Sequence, residues 1–318
     1  MSNKRSIIDF STHLTSKRVI KEVTEIRARL GTNRPFNFDP ITAEMGERLR
    51  VMDKYGINIQ VMSFNSNSLI GLPPEDANRI GRMANDDVAE LCRKRPDRFI
   101  GLAHVTLTDV KDALTELERG VRELGFRGVI LPTNENGVGI DSPQFDPLYK
   151  RISEYDIPIL LHPTNWKDYP LANGPFMGMF GWPFDTTQAM WRLKSNGVLK
   201  KYPNLKIVAH HLGAMLPFFY GRLEEYLWRT GVNVPQSEFW KQIYGDTAIS
   251  GGLPEAYMLG YSFFGADRMV YGSDYPFGQD NGEGFISKNL DPVIKMPVSE
   301  EDREKILFET AKKLLKIS

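Results

Sequence analysis

Short runs rich in isoleucine, valine and leucine recur along the chain, each closed by a turn residue or a strand stop. They are SIIDFS, INIQVMS, FIGLAHV, GVIL, PILLH, KIVAHH, YGDTA and MVYGSD. Continuous apolar runs of this length, without strict alternation, suit strands buried on both faces of a sheet. Between them lie longer stretches with apolar residues at helical spacing, among them PEDANRIGRMANDDVAELCRKR, VKDALTELERGVRELG, FDPLYKRISEY and SEEDREKILFETAKKLLK. Strand and helix alternate from one end to the other. Such alternation implies right-handed crossovers and a parallel sheet, and eight units within 318 residues match a closed (β/α)8 TIM barrel. A doubly wound open sheet is the alternative.

Two stretches exceed the usual length of a connection and lack clear periodicity: residues 17–41 after the first strand and 165–185, NWKDYPLANGPFMGMFGWPFD, after the fifth. Long connections in a compact domain are commonly lids or binding loops. Both follow strands, so in a barrel both rise on the catalytic face. No linker, low-complexity tract or internal repeat interrupts the pattern, and residues 1–318 read as one domain with long βα loops.

Charge narrows the partners. Forty basic residues balance forty acidic ones, which leaves no electrostatic footprint for nucleic acid or an anionic membrane surface. A small-molecule ligand is the expectation. The one cysteine, Cys92, rules out an intramolecular disulfide and a cysteine-based zinc cluster, and its helical setting predicts a structural thiol. No apolar run reaches the roughly 18 residues of a spanning helix, and the start, MSNKRSIIDF, lacks the apolar region of a signal peptide. A cytoplasmic protein is expected.

The histidines change the picture most. There are five: His13 after IIDFS, His104 in FIGLAHV, His162 ending PILLH, and His210 and His211 ending KIVAHH. Taken singly, each is an ordinary buried or turn histidine. Together they sit on four strands, at or near the ends from which barrel enzymes build their sites. Asp274, in MVYGSDYPFG (269–278), ends the eighth strand beside the first. Imidazoles with a carboxylate are what a divalent zinc or manganese ion takes.

At these residues the chain resembles the amidohydrolase superfamily, in the branch of aminocarboxymuconate-semialdehyde decarboxylase and the resorcylate-type decarboxylases. The resemblance runs nearly the full length, through IIDFSTH, RLRVMDKYGINIQVMS, ELGFRGVIL, FDPLYKRISEYDIPILLHP, YPNLKIVAHHLGAMLPFFYGRL, YGDTAISGG, GSDYPFG and ETAKKLLK. It implies that His13, His162 and Asp274 are metal ligands and that His210 is an acid/base residue. The family's first strand ends in His-x-His or Glu-x-His. Here the triplet is Ser11-Thr12-His13, so Ser11 replaces the first ligand and weakens the implied site. His211 stands where the family commonly has glycine, and its role is open, as is that of His104 as a substitute ligand. Related lactonases work without metal.

The resemblance implies a nonoxidative decarboxylase of an aromatic or unsaturated carboxylic acid, holding zinc first and manganese second, and acting as a homodimer or larger assembly. Two other readings stand beside it: a lactone or ester hydrolase, and a ligand-binding barrel without catalysis. For proton delivery, Asp274 and His210 compete. Trp166, Phe176, Phe180 and Trp182 are candidates for the wall of a flat pocket, Arg48 or Arg50 for a carboxylate partner, and Asn134 or Asn136 for a substrate donor.

Overall fold

The computed structural model describes every residue except 1–4, 33–35, 37–38, 165–175, 227–228, 230–239, 252 and 318. Among the described residues the apolar runs become strands β1 (Ile8–His13), β2 (Ile59–Ser63), β3 (Phe99–Gly101), β4 (Ala103–His104), β5 (Val129–Pro132), β8 (Ile159–His162), β9 (Ile207–Ala209), β10 (Ile243–Asp246) and β11 (Met269–Val270). A small hairpin of β6 (Asn134–Glu135) and β7 (Val138–Gly139) follows β5.

Parallel pairing runs β1-β2-β3 and, in a second ladder, β4-β5-β8-β9-β10-β11. Two junctions join these ladders into a ring. At Leu102 one stave changes partner: its N–H donates to the Met62 carbonyl on β2, and the next N–H, of Ala103, to the Gly128 carbonyl ahead of β5, both at 2.9 Å. On the far side Phe10 N–H donates to Tyr271 at 2.8 Å, Asp274 N–H to Ser11 at 2.9 Å and His13 N–H to Tyr275 at 2.7 Å. β3 and β4 therefore act as one stave, and eight staves close. An open sheet would leave two unpaired edges, so the barrel reading holds.

Side chains alternate across a strand with period two, and that periodicity places the site. Leu160, Val208 and Val270 belong to a central cluster with Ile8, Phe10 and Val61, whereas Leu161, Ala209 and Met269 belong to the outer core under the helices. Two residues beyond Leu160 and Val208 come His162 and His210, and four beyond Val270 comes Asp274. On β1 the register slips between Asp9 and Thr12. That bulge turns Ser11 and His13 toward the same mouth. Ala311, Leu314 and Leu315 of the last helix close the opposite mouth.

The connection over 17–41 differs from expectation. It contains the helix Lys17–Arg29, N-capped by the Ser16 hydroxyl, with Val19, Val23, Ile26 and Arg27 buried. Charged residues, Thr24 and Ala28 surround a narrow stripe of Val19, Ile20, Val23 and Ile26, which the sequence reading passed over. Residues 165–175 of the second long connection, with Trp166, lie outside the described residues; the rest winds into the helix Trp182–Ser195. Cys92 sits on the helix Pro74–Lys94, where burial pushes its thiol up to about 12. No described helix is long and apolar enough to cross a membrane.

Candidate active site

Asp274 occupies the left-handed region at φ 64°, a conformation aspartate tolerates better than most residues. Its N–H is tied to Ser11. The preceding Ser273 donates through N–H (2.9 Å) and hydroxyl (2.6 Å) to the buried Asp9 carboxylate. Asp9, in the opening IIDF, thus clamps the last stave to the first. Burial pushes its carboxyl up to about 7, against the hydrogen bonds from Ser273.

Four side chains converge at this mouth. Ligand atoms of His13, His162, His210 and Asp274, all buried, lie within 4.8 Å of one another. Asp274 Oδ1 is 3.2 Å from His13 Nε2 and 3.4 Å from His210 Nε2, and its Oδ2 is 3.8 Å from His211 Nε2. Neither of the two shorter approaches is a hydrogen bond. His13 Nε2, His210 Nε2 and Asp274 Oδ1 are therefore buried polar atoms without hydrogen-bond partners. Such atoms are costly unless something else satisfies them.

The outer nitrogens are already engaged. Ser63 donates its hydroxyl to the Thr12 carbonyl and so receives His13 Nδ1–H, at 3.0 Å. His162 Nδ1–H donates to the Pro163 carbonyl at 2.8 Å, and His210 Nδ1–H to Asp246 Oδ2 at 2.5 Å. These tautomers, assigned from the network, turn each Nε2 inward, as ligating histidines require; that of His162 accepts from Asn65 Nδ2 at 3.3 Å. Donors of this type fit a divalent ion, whose ligands at about 2.0–2.2 Å stand roughly 3–4 Å apart.

Electrostatics agree with that fit at Asp274, His13 and His162, whereas His210 must give up a proton to ligate an ion. Burial pushes the Asp274 carboxyl up, but the surrounding histidines outweigh it and hold the group well below the usual carboxylate range. Burial pushes His13 and His162 down, so both are neutral. Burial also opposes charge on His210, yet Asp246 and then Asp274 prevail and raise it to about 10.

A cavity of about 700 Å³ opens above the cluster. Its lining includes His162, His211 and Asp274 at the floor, Trp182, Met179, Phe277 and Phe285 on the walls, and Arg27. Arg27 is the only lysine or arginine among the described lining residues. It is 6% exposed, donates to the Ser68 carbonyl at 2.9 Å and lies 5.3 Å from the centre of the Phe36 ring.

Of the residues singled out in the sequence, the fold gathers His13, His162, His210 and Asp274 in the cluster and His211 and Trp182 at the cavity. His104 points away from it, edge-on to Phe64 at 5.1 Å and against Gly81. Ser11 lies beside the cluster but turns to Asp246. Arg48 is fully buried behind β1, donating to the His13 carbonyl and to Gln60, where no substrate reaches it. Its length and charge serve the wall of the barrel. Arg50 is exposed and paired with Glu47 and Glu283. Asn134 faces Asp185 at 3.4 Å and caps Gly137 N–H, Asn136 is the exposed turn of the hairpin, and Phe176 and Phe180 are exposed outside the cavity lining. Sequence reasoning missed Asp246 and Arg27. A carboxylate ending the seventh strand was a usable signal for the first; the second offered only an arginine inside a buried stripe.

The family model described as Amidohydrolase matches residues 8–317. A gamma-resorcylate decarboxylase of Rhizobium sp. is 29% identical over 85% of this chain and 86% of its own. Among solved structures, the 2,6-dihydroxybenzoate decarboxylase from Rhizobium superposes with a TM-score of 0.79 at 25% identity, covering 98% of this chain and 99% of its own. A dihydroxybenzoic acid decarboxylase from Polaromonas sp., with bound manganese and the inhibitor 2-nitroresorcinol, gives 0.77 at 25% identity over 98% and 97%. With its full-length match, its barrel and its buried histidine–aspartate cluster, this chain belongs to the amidohydrolase family.

Proposed function

We propose that the protein is a metal-dependent nonoxidative decarboxylase of an aromatic carboxylic acid. The observation that carries this reading is the set of inward donors on His13, His162, His210 and Asp274, those of His13, His210 and Asp274 Oδ1 without hydrogen-bond partners, beneath a largely apolar cavity. Support also comes from relatives whose names place them among hydroxybenzoate decarboxylases, one with manganese bound. His13, His162 and Asp274 hold the ion; nitrogen and oxygen donors suit manganese and zinc alike. When bound, a divalent ion polarises a phenolic or carboxyl oxygen and offsets charge that builds on the ring.

The chain's own groups do the rest. Trp182, Phe277 and Phe285 wall a slot for a flat ring and exclude water from it. Arg27 supplies the cation that draws an organic acid into the cavity. As the bond to the carboxylate breaks, its electron pair stays on the ring carbon, which takes up a proton while carbon dioxide leaves. Asp274 and His211, 3.8 Å apart and both on the cavity floor, are the groups placed to pass that proton. His210 has no face on the cavity, so this role moves to its neighbour.

Incubation of manganese-loaded protein with 2,6-dihydroxybenzoate and other hydroxybenzoates in deuterated water tests the reading. Carbon dioxide release with one deuterium at the vacated ring carbon is expected, abolished in Asp274→Asn. Ring binding with neither product, or acid release from lactones instead, contradicts it.

A further inference from the structure

By the family resemblance a first metal ligand is expected at Ser11, but its hydroxyl does not face the cluster. It donates to Asp246 Oδ2 at 2.5 Å, and the same oxygen receives His210 Nδ1–H at 2.5 Å. Asp246 Oδ1 accepts the N–H groups of Ala248 at 3.2 Å and Leu212 at 3.5 Å. Asp246 is fully buried and spans β1 and β9 from its place at the end of β10. Both its oxygens are engaged, so it is not itself a free donor to the cluster. What it does is fix the His210 ring: Nδ1 is committed outward, and Nε2 is left aimed at Asp274 Oδ1, 3.4 Å away and without a hydrogen-bond partner.

Packing behind residue 11 is tight. A Cβ on Gly272 would already meet Ser11 at 3.0 Å and Asp246 at 3.1 Å. A glutamate at position 11 would lose the hydroxyl that donates to Asp246 and set a second carboxylate against it.

We propose that His210 is the metal's fourth protein ligand, taking over from β9 the place Ser11 cannot fill on β1, with Ser11 and Asp246 as its positioning pair. This rests on the metal-dependent reading above. It makes the serine a relocation of the ligand set and not a loss of it.

The test is the affinity for manganese or zinc, read by competition with a chromophoric chelator, together with the visible spectrum of the cobalt-substituted protein. The set is the parent protein, His13→Gln, His210→Gln, Asp246→Asn, Ser11→Ala and Ser11→Glu, each checked for folding by circular dichroism. His210→Gln should weaken binding about as much as His13→Gln and alter the cobalt bands. Asp246→Asn should cost about 10–100-fold, and Ser11→Ala less, in line with other outer partners of ligating histidines. Ser11→Glu should weaken binding despite restoring the family's residue. Should Asp246→Asn fail to fold, Ser11→Ala and His210→Gln still decide the matter. Parental affinity and spectrum in His210→Gln, with loss in His13→Gln, overturn this inference and leave the metal site standing. No metal bound by the parent protein overturns both. Tighter binding by Ser11→Glu shows that the first-strand place was open, and also overturns it.

Discussion

His104 shows how one buried side chain sets a pH dependence. Burial pushes its imidazolium down to about 4, against a small opposing pull from the Phe64 backbone. A histidine in the unfolded chain titrates near 6.5. Between those values the unfolded chain holds a proton the folded one lacks, so stability falls as pH drops from 6.5 to 4 and levels off below. The span is worth about 3 kcal/mol. Urea midpoints for the parent and His104→Asn at pH 7 and pH 4 should differ in their pH dependence by about that amount; equal acid sensitivity would mean that His104 is already charged or exposed. At the same scale, Arg27→Met should raise KM for an aromatic acid about tenfold or more, a cost of about 1.4 kcal/mol or above, with little change in kcat. An unchanged KM would remove Arg27 from substrate binding.

At the scale of the elements, the staves were legible because strands buried on both faces read as plain apolar runs, and their ends were legible because five histidines and one aspartate gather there. What was not legible depends on the third dimension. Asp246 gains its task from Ser11 and His210, which come from two other strands. Arg27 lies in a connection without clear periodicity until the helix Lys17–Arg29 is seen to press that face on the cavity. Arg48 read as a substrate cation and is instead a prop of the barrel wall, a difference that lies only in which side of β1 it reaches. Gly272 belongs to this scale too. With neighbours at 3.0–3.1 Å from its would-be Cβ, Gly272→Ala should destabilise the fold by about 1–3 kcal/mol, as overpacking does, and shift Asp274. Chemical denaturation and metal affinity should fall together in that variant; a fall in neither would mean that the β1–β10–β11 junction is loose.

For the whole molecule, the barrel separates stability from chemistry along its axis. One mouth carries the cluster and the cavity; the other is plugged by Ala311, Leu314 and Leu315. Leu314→Ala should therefore cost about 2–5 kcal/mol while metal affinity at moderate temperature stays at the parent value, and a change in affinity would show that the two ends are coupled. Whether the cluster holds an ion on which decarboxylation depends is read from carbon dioxide evolution from hydroxybenzoates with protein stripped by chelator and then titrated with manganese or zinc. Evolution should be absent from stripped protein and rise in proportion to bound metal up to one equivalent. Evolution that is undiminished after stripping, or absent from fully loaded protein that binds the acid, would contradict it.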